Sequence, residues 1–183
     1  MEEQLIEKAQ KGDKQAFTDL VLGIKIELYK IAKSRITNES DIDDAIQETM
    51  IELFKSIKKL RDPKKFKMWA IKILINKCNK IYKKKHKKDI SIDEYNVEKF
   101  IITNSFKEIE ADINFYNLIK NLKYEERIII ILYYMEKYTT KEISKILHMK
   151  ENTVKSHLFR AKKTIKIQLE GEKNYEINRW IYN

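Results

Sequence analysis

Apolar residues recur at three- and four-residue steps along most of the chain, the period of an α-helix with one buried face. In the stretch Ala16–Ile36, Phe17, Leu20, Ile24, Leu28, Ile31 and Ala32 form one such stripe. Asp13, just after Gly12, is placed to cap that helix, because a carboxylate can accept from free N–H groups of the first turn. Ala45, Thr49, Leu53 and Ile57 predict a second stripe over Asp41–Ile57. Pro63, the only proline, lies in a basic break from Lys58 to Lys67 and suits the first turn of a new helix, continued by Trp69–Ile81. Further on, Ile113–Leu122, Glu125–Glu136, Lys141–Leu147 and Thr153–Leu169 read as helices with short separators at Lys123–Tyr124, Lys137–Thr140 and His148–Asn152. Short separators pack neighbouring helices at sharp angles. No strand pattern interrupts this series. The expected fold is all-α, with two small helical domains joined by a flexible linker.

The clearest local pattern runs from Tyr138 to Lys166. Thr139-x-x-Glu142 is a capping box, in which hydroxyl and carboxylate each satisfy a free backbone N–H. Ile143, Ile146 and Leu147 then face inward, and a turn at His148–Lys150 leads to a helix whose inner stripe is Val154, Leu158, Ala161 and Ile165. The opposite face holds Lys155, Ser156, Phe159, Arg160 and Lys163. That face is cationic, carries hydrogen-bonding groups near its N-terminus, and offers an aromatic to a thymine methyl, as the second helix of a helix-turn-helix requires in the major groove. The plainer alternative is an amphipathic helix with a solvated basic face.

Charge divides the chain further. The 183 residues include 38 Lys+Arg and 28 Asp+Glu, a net charge of +10, which points to a polyanionic partner. From Glu39 to Glu52 there are six acids and no base; from Lys77 to Lys88 there are seven lysines and no acid; from Asp89 to Glu110 there are six acids, two lysines and no clear helical period. Residues 1–87 therefore read as one domain, 88–110 as a linker, 111–169 as a second domain and 170–183 as a polar tail. On the acidic helix Asp44, Gln47, Glu48 and Ile51 share a face. That face would repel phosphates and suits a basic protein partner; a solvated acidic helix is the alternative. The loop Lys58–Lys67 and the helix after it interleave lysines with Phe66, Trp69 and Tyr82, a combination that holds single-stranded nucleic acid by phosphate contacts and base stacking. Core positions for Phe66 and Trp69 are the competing expectation.

Other classes drop away. Three glycines and one proline are too few for a multi-stranded sandwich or a phosphate-binding loop. Cys78 is alone, and it forms no metal-ligand spacing with His86, His148 or His157. No nucleophile–base pair is recognisable, so neither catalysis, metal nor cofactor is expected. There is no apolar run of membrane-spanning length, and the polar start Met1-Glu2-Glu3-Gln4 does not resemble a signal peptide; the cytosol is the expected compartment.

Taken in order, these features resemble the extracytoplasmic-function sigma factors, the small two-domain class of the sigma-70 superfamily. The segment Glu7–Phe17 is similar to the first conserved region, Asp43-Asp-Ala-Ile-Gln-Glu-Thr49 to region 2.2, and Phe66-x-x-Trp69-x-x-x-Ile73-x-x-Asn76 to regions 2.3 and 2.4. Thr140–Ile146 with Asn152–Ala161 resembles region 4, a helix-turn-helix of winged-helix-like type. The resemblance covers roughly residues 3–169. It implies that Asp44, Gln47, Glu48, Ile51 and Phe54 bind core RNA polymerase at the β′ clamp helices, with region 4 on the β flap. It implies that Arg61, Lys64, Lys65, Phe66, Lys67, Trp69, Asn76, Lys77 and Lys80 serve the −10 element, and that Thr153, Lys155, Ser156, Phe159, Arg160 and Lys163 serve the −35 element. An anti-sigma factor is the implied regulator. The chain departs from the usual pattern at Lys72 and Lys123, where the family generally has Arg and Pro, and in Asn152-Thr-Val-Lys155-Ser-His157, where it generally has Gly-Thr-Val with an Arg two residues on; Lys is a point donor, less suited than Arg to bidentate guanine contact. A stand-alone helix-turn-helix regulator and a basic all-α adaptor for an acidic protein are the competing functions.

Overall fold

The computed structural model describes residues 2–86 and 115–172; the expected linker, 88–110, and the expected tail from 173 onward lie outside them, while residues 170–172 continue the last helix beyond its expected end at Leu169. The chain divides into two compact units, Met1–Ile92 and Asp93–Asn183. Every element in the described residues is helical.

The first unit contains α1 (Glu2–Gln10), α2 (Lys14–Lys33), α3 (Glu39–Ser56) and α4 (Phe66–His86), with 3-10 turns at Ile57–Lys59 and Pro63–Lys65. Helix α1, nine residues long, is not among the elements that periodicity predicts; so short a segment holds its shape through packing rather than intrinsic propensity. Gly12 turns the chain between α1 and α2 at φ +100, where a side chain would be strained. Asp13 Oδ1 then accepts from the Ala16 N–H at 3.0 Å, the cap expected from sequence. Asn38 caps α3 in the same way, accepting from the Asp41 N–H at 3.1 Å.

The predicted stripe on α3 is buried throughout: Ala45, Thr49, Leu53 and Ile57 meet Ile6, Leu28, Ile31, Ile71 and Leu74 in one core. On α2 Ala16 is buried, whereas Phe17 is only half-buried and turns to α3, its ring centroid 5.1 Å from that of Phe54. Three polar groups brace the unit where apolar contact cannot. Buried Lys33 pairs with Glu39 at 3.0 Å across the α2–α3 corner. Arg35 Nη2 donates to Asn79 Oδ1 of α4 at 2.6 Å. Gln10 Nε2 donates to the carbonyls of Ile57 and Leu60, at 3.0 and 2.7 Å, and so ties the loop before Pro63 to α1.

The second unit contains α5 (helical residues 115–119), α6 (Tyr124–Ile130), a π-helical segment (Ile131–Met135), α7 (Thr140–Leu147) and α8 (Glu151–Glu172). Its core gathers Tyr116, Ile119, Ile128, Ile131, Leu132, Ile143, Val154, Ala161 and Ile165. The sequence predicts one α-helix over Glu125–Glu136; instead the last turn widens, with the Glu136 N–H donating to the Ile131 carbonyl at 3.1 Å. Four successive isoleucines, Ile128–Ile131, are all fully buried. β-Branched side chains crowd the preceding turn of an α-helix, and a wider turn relieves such crowding. Lys162 Nζ of α8 lies over Tyr133 and Tyr134, 5.4 and 5.3 Å from their ring centroids.

Candidate polymerase and nucleic-acid interfaces

On α3, Asp44, Gln47, Glu48, Ile51 and Phe54 all point to solvent, opposite the buried stripe. Ile51 and Phe54 are each 54% exposed. Large apolar side chains presented together among carboxylates make a protein-contact surface, with an apolar centre and a charged rim. The face is not electrically isolated. Lys77 of α4 reaches Glu48 at 3.3 Å and Glu52 at 4.0 Å.

The loop between α3 and α4 carries exposed Arg61, Lys64 and Lys65. Pro63 opens its second 3-10 turn, capped by Asp62, whose side chain accepts from the Lys64 N–H. Lys65 pairs with Asp62 at 2.9 Å and holds its carboxyl below the usual carboxylate range. Lys67 is half-buried and bonded to Glu27 of α2 at 2.8 Å. Phe66 corrects the sequence expectation: it is 1% exposed and belongs to the core, so its ring cannot stack on a base in this structure. Trp69 packs beside it, ring centroids 6.3 Å apart, and remains half-buried, leaving part of the indole at the surface. Beyond the loop, Asn76 and Lys80 of α4 are exposed and Lys77 is half-buried. With Glu52, Ile73 and Lys83 they line a shallow concavity between α3 and α4.

The helix-turn-helix is α7 and α8. The capping box is complete: the Glu142 N–H donates to Thr139 Oγ1 at 3.3 Å, and the Thr139 N–H donates to Glu142 Oε2 at 2.9 Å. The backbone N–H of Thr139 and its hydroxyl, which donates to the same Glu142 oxygen at 2.7 Å, lower the Glu142 pKa. Helix α7 ends on His148 in the left-handed region. Glu151 then joins the two helices, accepting from Thr140 Oγ1 at 2.9 Å and pairing with Lys155 at 3.0 Å. All six predicted groups of α8, Thr153, Lys155, Ser156, Phe159, Arg160 and Lys163, are exposed, Phe159 by 70%. Ser156 donates to the Asn152 carbonyl at 2.9 Å, which leaves its oxygen lone pairs outward as an acceptor. Arg160 is held from beneath by Glu126 of α6, Nε to Oε1 at 3.2 Å. Sequence alone gives no sign of that contact, because Glu126 reads as a solvated acid in the first turn of a helix.

Cys78 is buried, and burial pushes its thiol up to about 12. Among the described residues no His, Cys, Asp and Glu side chains gather as a metal site, and no described helix is long and apolar enough to cross a membrane.

Comparison with known proteins agrees with this layout. Residues 20–88 match sigma-70 region 2, and residues 113–165 match sigma-70 region 4. The chain is 28% identical over 165 residues to the RNA polymerase sigma factor SigV of Bacillus subtilis (strain 168), covering 90% of this chain and 98% of the relative. It is 27% identical over 175 residues to the ECF RNA polymerase sigma-E factor of Escherichia coli (strain K12), covering 88% and 90%. Among solved structures, CnrH in complex with the cytosolic domain of CnrY is similar with a TM-score of 0.66 at 20% identity, over 93% of this chain and 97% of that one. The sigma factor RpoE from Bartonella quintana, in complex with the anti-sigma factor NepR, gives 0.67 at 17% identity, over 84% and 96%. The chain belongs to the extracytoplasmic-function class of sigma-70 factors, which bind core RNA polymerase and direct promoter recognition and transcription initiation.

Proposed function

We propose that this sigma factor divides its work among three surfaces. Residues 1–87 dock on the polymerase and serve the −10 element, residues 88–110 are a linker, and residues 111–169 read the −35 element. Asp44, Gln47, Glu48, Ile51 and Phe54 meet the β′ clamp helices. Arg61, Lys64, Lys65, Lys67, Trp69, Asn76, Lys77 and Lys80 handle the −10 strand, the cations on phosphates and the exposed part of Trp69 against a base. Phe66 acts from inside, as the support of that loop. Thr153, Lys155, Ser156, Phe159, Arg160 and Lys163 face the −35 element while the second unit rests on the β flap.

One observation carries this reading: exposed acid with apolar side chains occupies α3, while exposed base occupies the adjacent loop and α4. A single nucleic-acid surface would not alternate in sign. The factor acts in the cytoplasm as a binding protein without catalysis of its own. Two structurally similar sigma factors are solved with bound partners, one of them named as an anti-sigma factor, which favours an anti-sigma regulator here too.

The test is the double substitution Asp44→Lys with Glu48→Lys. Close interfacial charge pairs couple by about 1.5–7 kcal/mol, so affinity for core polymerase should fall at least about tenfold. The helical circular dichroism and the DNA affinity of the free protein should not fall. Undiminished polymerase affinity would remove α3 from the interface.

A further inference from the structure

Glu126 is out of place for a solvated acid. It sits in the first turn of α6 at 3% exposure, followed by the buried run Ile128–Ile131. Taking a carboxylate out of water is costly unless it is paired, and an apolar side chain would fill the same space without that cost. What the carboxylate adds is a fixed acceptor beneath α8. Its Oε1 accepts from Arg160 Nε at 3.2 Å and lies 3.7 Å from His157 Nδ1. Arg160 Nη2 is in turn 3.0 Å from His157 Nδ1. A guanidinium only donates, so Nδ1 must accept in this arrangement and the ring hydrogen must be on Nε2.

We propose that Glu126 is a positioning residue for promoter recognition, setting the guanidinium of Arg160 so that its outer edge faces a guanine of the −35 element. This rests on the assignment of Arg160 to that element. Of the five N–H groups of Arg160, Nε–H points inward to Glu126 and one Nη2 hydrogen meets His157. The two Nη1 hydrogens and the second Nη2 hydrogen are left. One Nη1 hydrogen and that Nη2 hydrogen form the end-on fork that matches guanine O6 and N7. The side chain is 52% exposed, which leaves that fork in solvent beside the protruding Phe159. Guanidinium held this way does not have to be ordered when DNA arrives. An arginine in the same place without Glu126 would contact phosphates and bases in many rotamers and discriminate less.

The test uses holoenzyme assembled from the full chain and core polymerase, binding a promoter library randomised in the −35 element. Arg160→Ala should lose preference at one base pair. Glu126→Leu should lose preference at the same base pair, by about tenfold, with other positions and the −10 preference unchanged. Glu126→Gln keeps an acceptor oxygen for Nε–H and should retain most of the preference. The double variant Glu126→Leu with Arg160→Ala should be no worse than Arg160→Ala, since both remove one interaction. Thermal unfolding separates position from fold: an apolar replacement for a buried ion should leave the midpoint unchanged or higher. If Arg160→Ala relaxes the preference and Glu126→Leu does not, Glu126 has no positioning role. Glu126→Leu weakening all sequences equally with a lower melting point, or tightening binding throughout, would equally overturn it. If Arg160→Ala itself changes no preference, the −35 assignment of Arg160 falls and the role of Glu126 falls with it.

Discussion

Lys137 and His148 stand at φ 58 and φ 53, where the backbone favours glycine. The left-handed region brings Cβ close to the following carbonyl, at about 1–2 kcal/mol for an ordinary residue. Both side chains are exposed, so little packing offsets the strain. Lys137→Gly and His148→Gly should each stabilise the protein by about 1 kcal/mol, part of the relief being lost to the greater freedom of glycine in the unfolded chain. Urea unfolding followed by circular dichroism would show a higher midpoint at unchanged slope; a lower midpoint would mean that the native side chain makes a contact worth more than the strain. The sequence marks both sites as breaks between helices, but without glycine nothing in it gives the sign of φ. Glu126 was hidden for a related reason. Its burial depends on α8, some 34 residues away in the chain, and no local pattern carries that information.

Between elements, periodicity was a sound guide wherever one face alone is buried. The stripes of α3 and α8 are buried residue for residue because a 3.6-residue period leaves a single face inward. It was weaker where aromatic and basic residues alternate: Phe66 and Trp69 suited a core and a stacking surface equally, and only the packing separates the buried ring from the half-exposed one. Nor could it show which charges neutralise one another. Lys77, assigned to DNA, is paired with Glu48 and Glu52, and Glu48 is assigned to polymerase. If polymerase takes Glu48, Lys77 is released to a phosphate, and the two binding events favour each other. Ion pairs whose carboxylates are exposed, as Glu48 and Glu52 are, contribute about 0–1 kcal/mol, so the coupling stays below tenfold. Glu48→Gln with Glu52→Gln should strengthen DNA binding by the free protein and steepen its salt dependence by up to about one unit of log K per log salt, the increment for one added phosphate contact. Titrations at several salt concentrations would measure it; an unchanged slope would take Lys77 out of the phosphate contacts.

For the whole molecule, the net charge of +10 is the sum of an acidic face and larger basic ones, and, on the proposed division of work, the two units give DNA two separate points of attachment. Charge explains attraction to any DNA; it does not explain choice, because phosphates are alike at every sequence. Choice requires both units to find their elements at once. Once one unit is bound through polymerase, the other meets its element at a local concentration fixed by the assembly, and joint binding can exceed either contact alone by about 10²–10⁴. A promoter with one element scrambled should therefore lose about a hundredfold or more in initiation, whichever element is scrambled, and scrambling the second should cost much less than the first. Run-off transcription from four templates, intact, either element scrambled and both scrambled, measures this directly. Equal, independent losses at the two elements would mean that they are read without cooperation, and that specificity is a plain product of two weak sites.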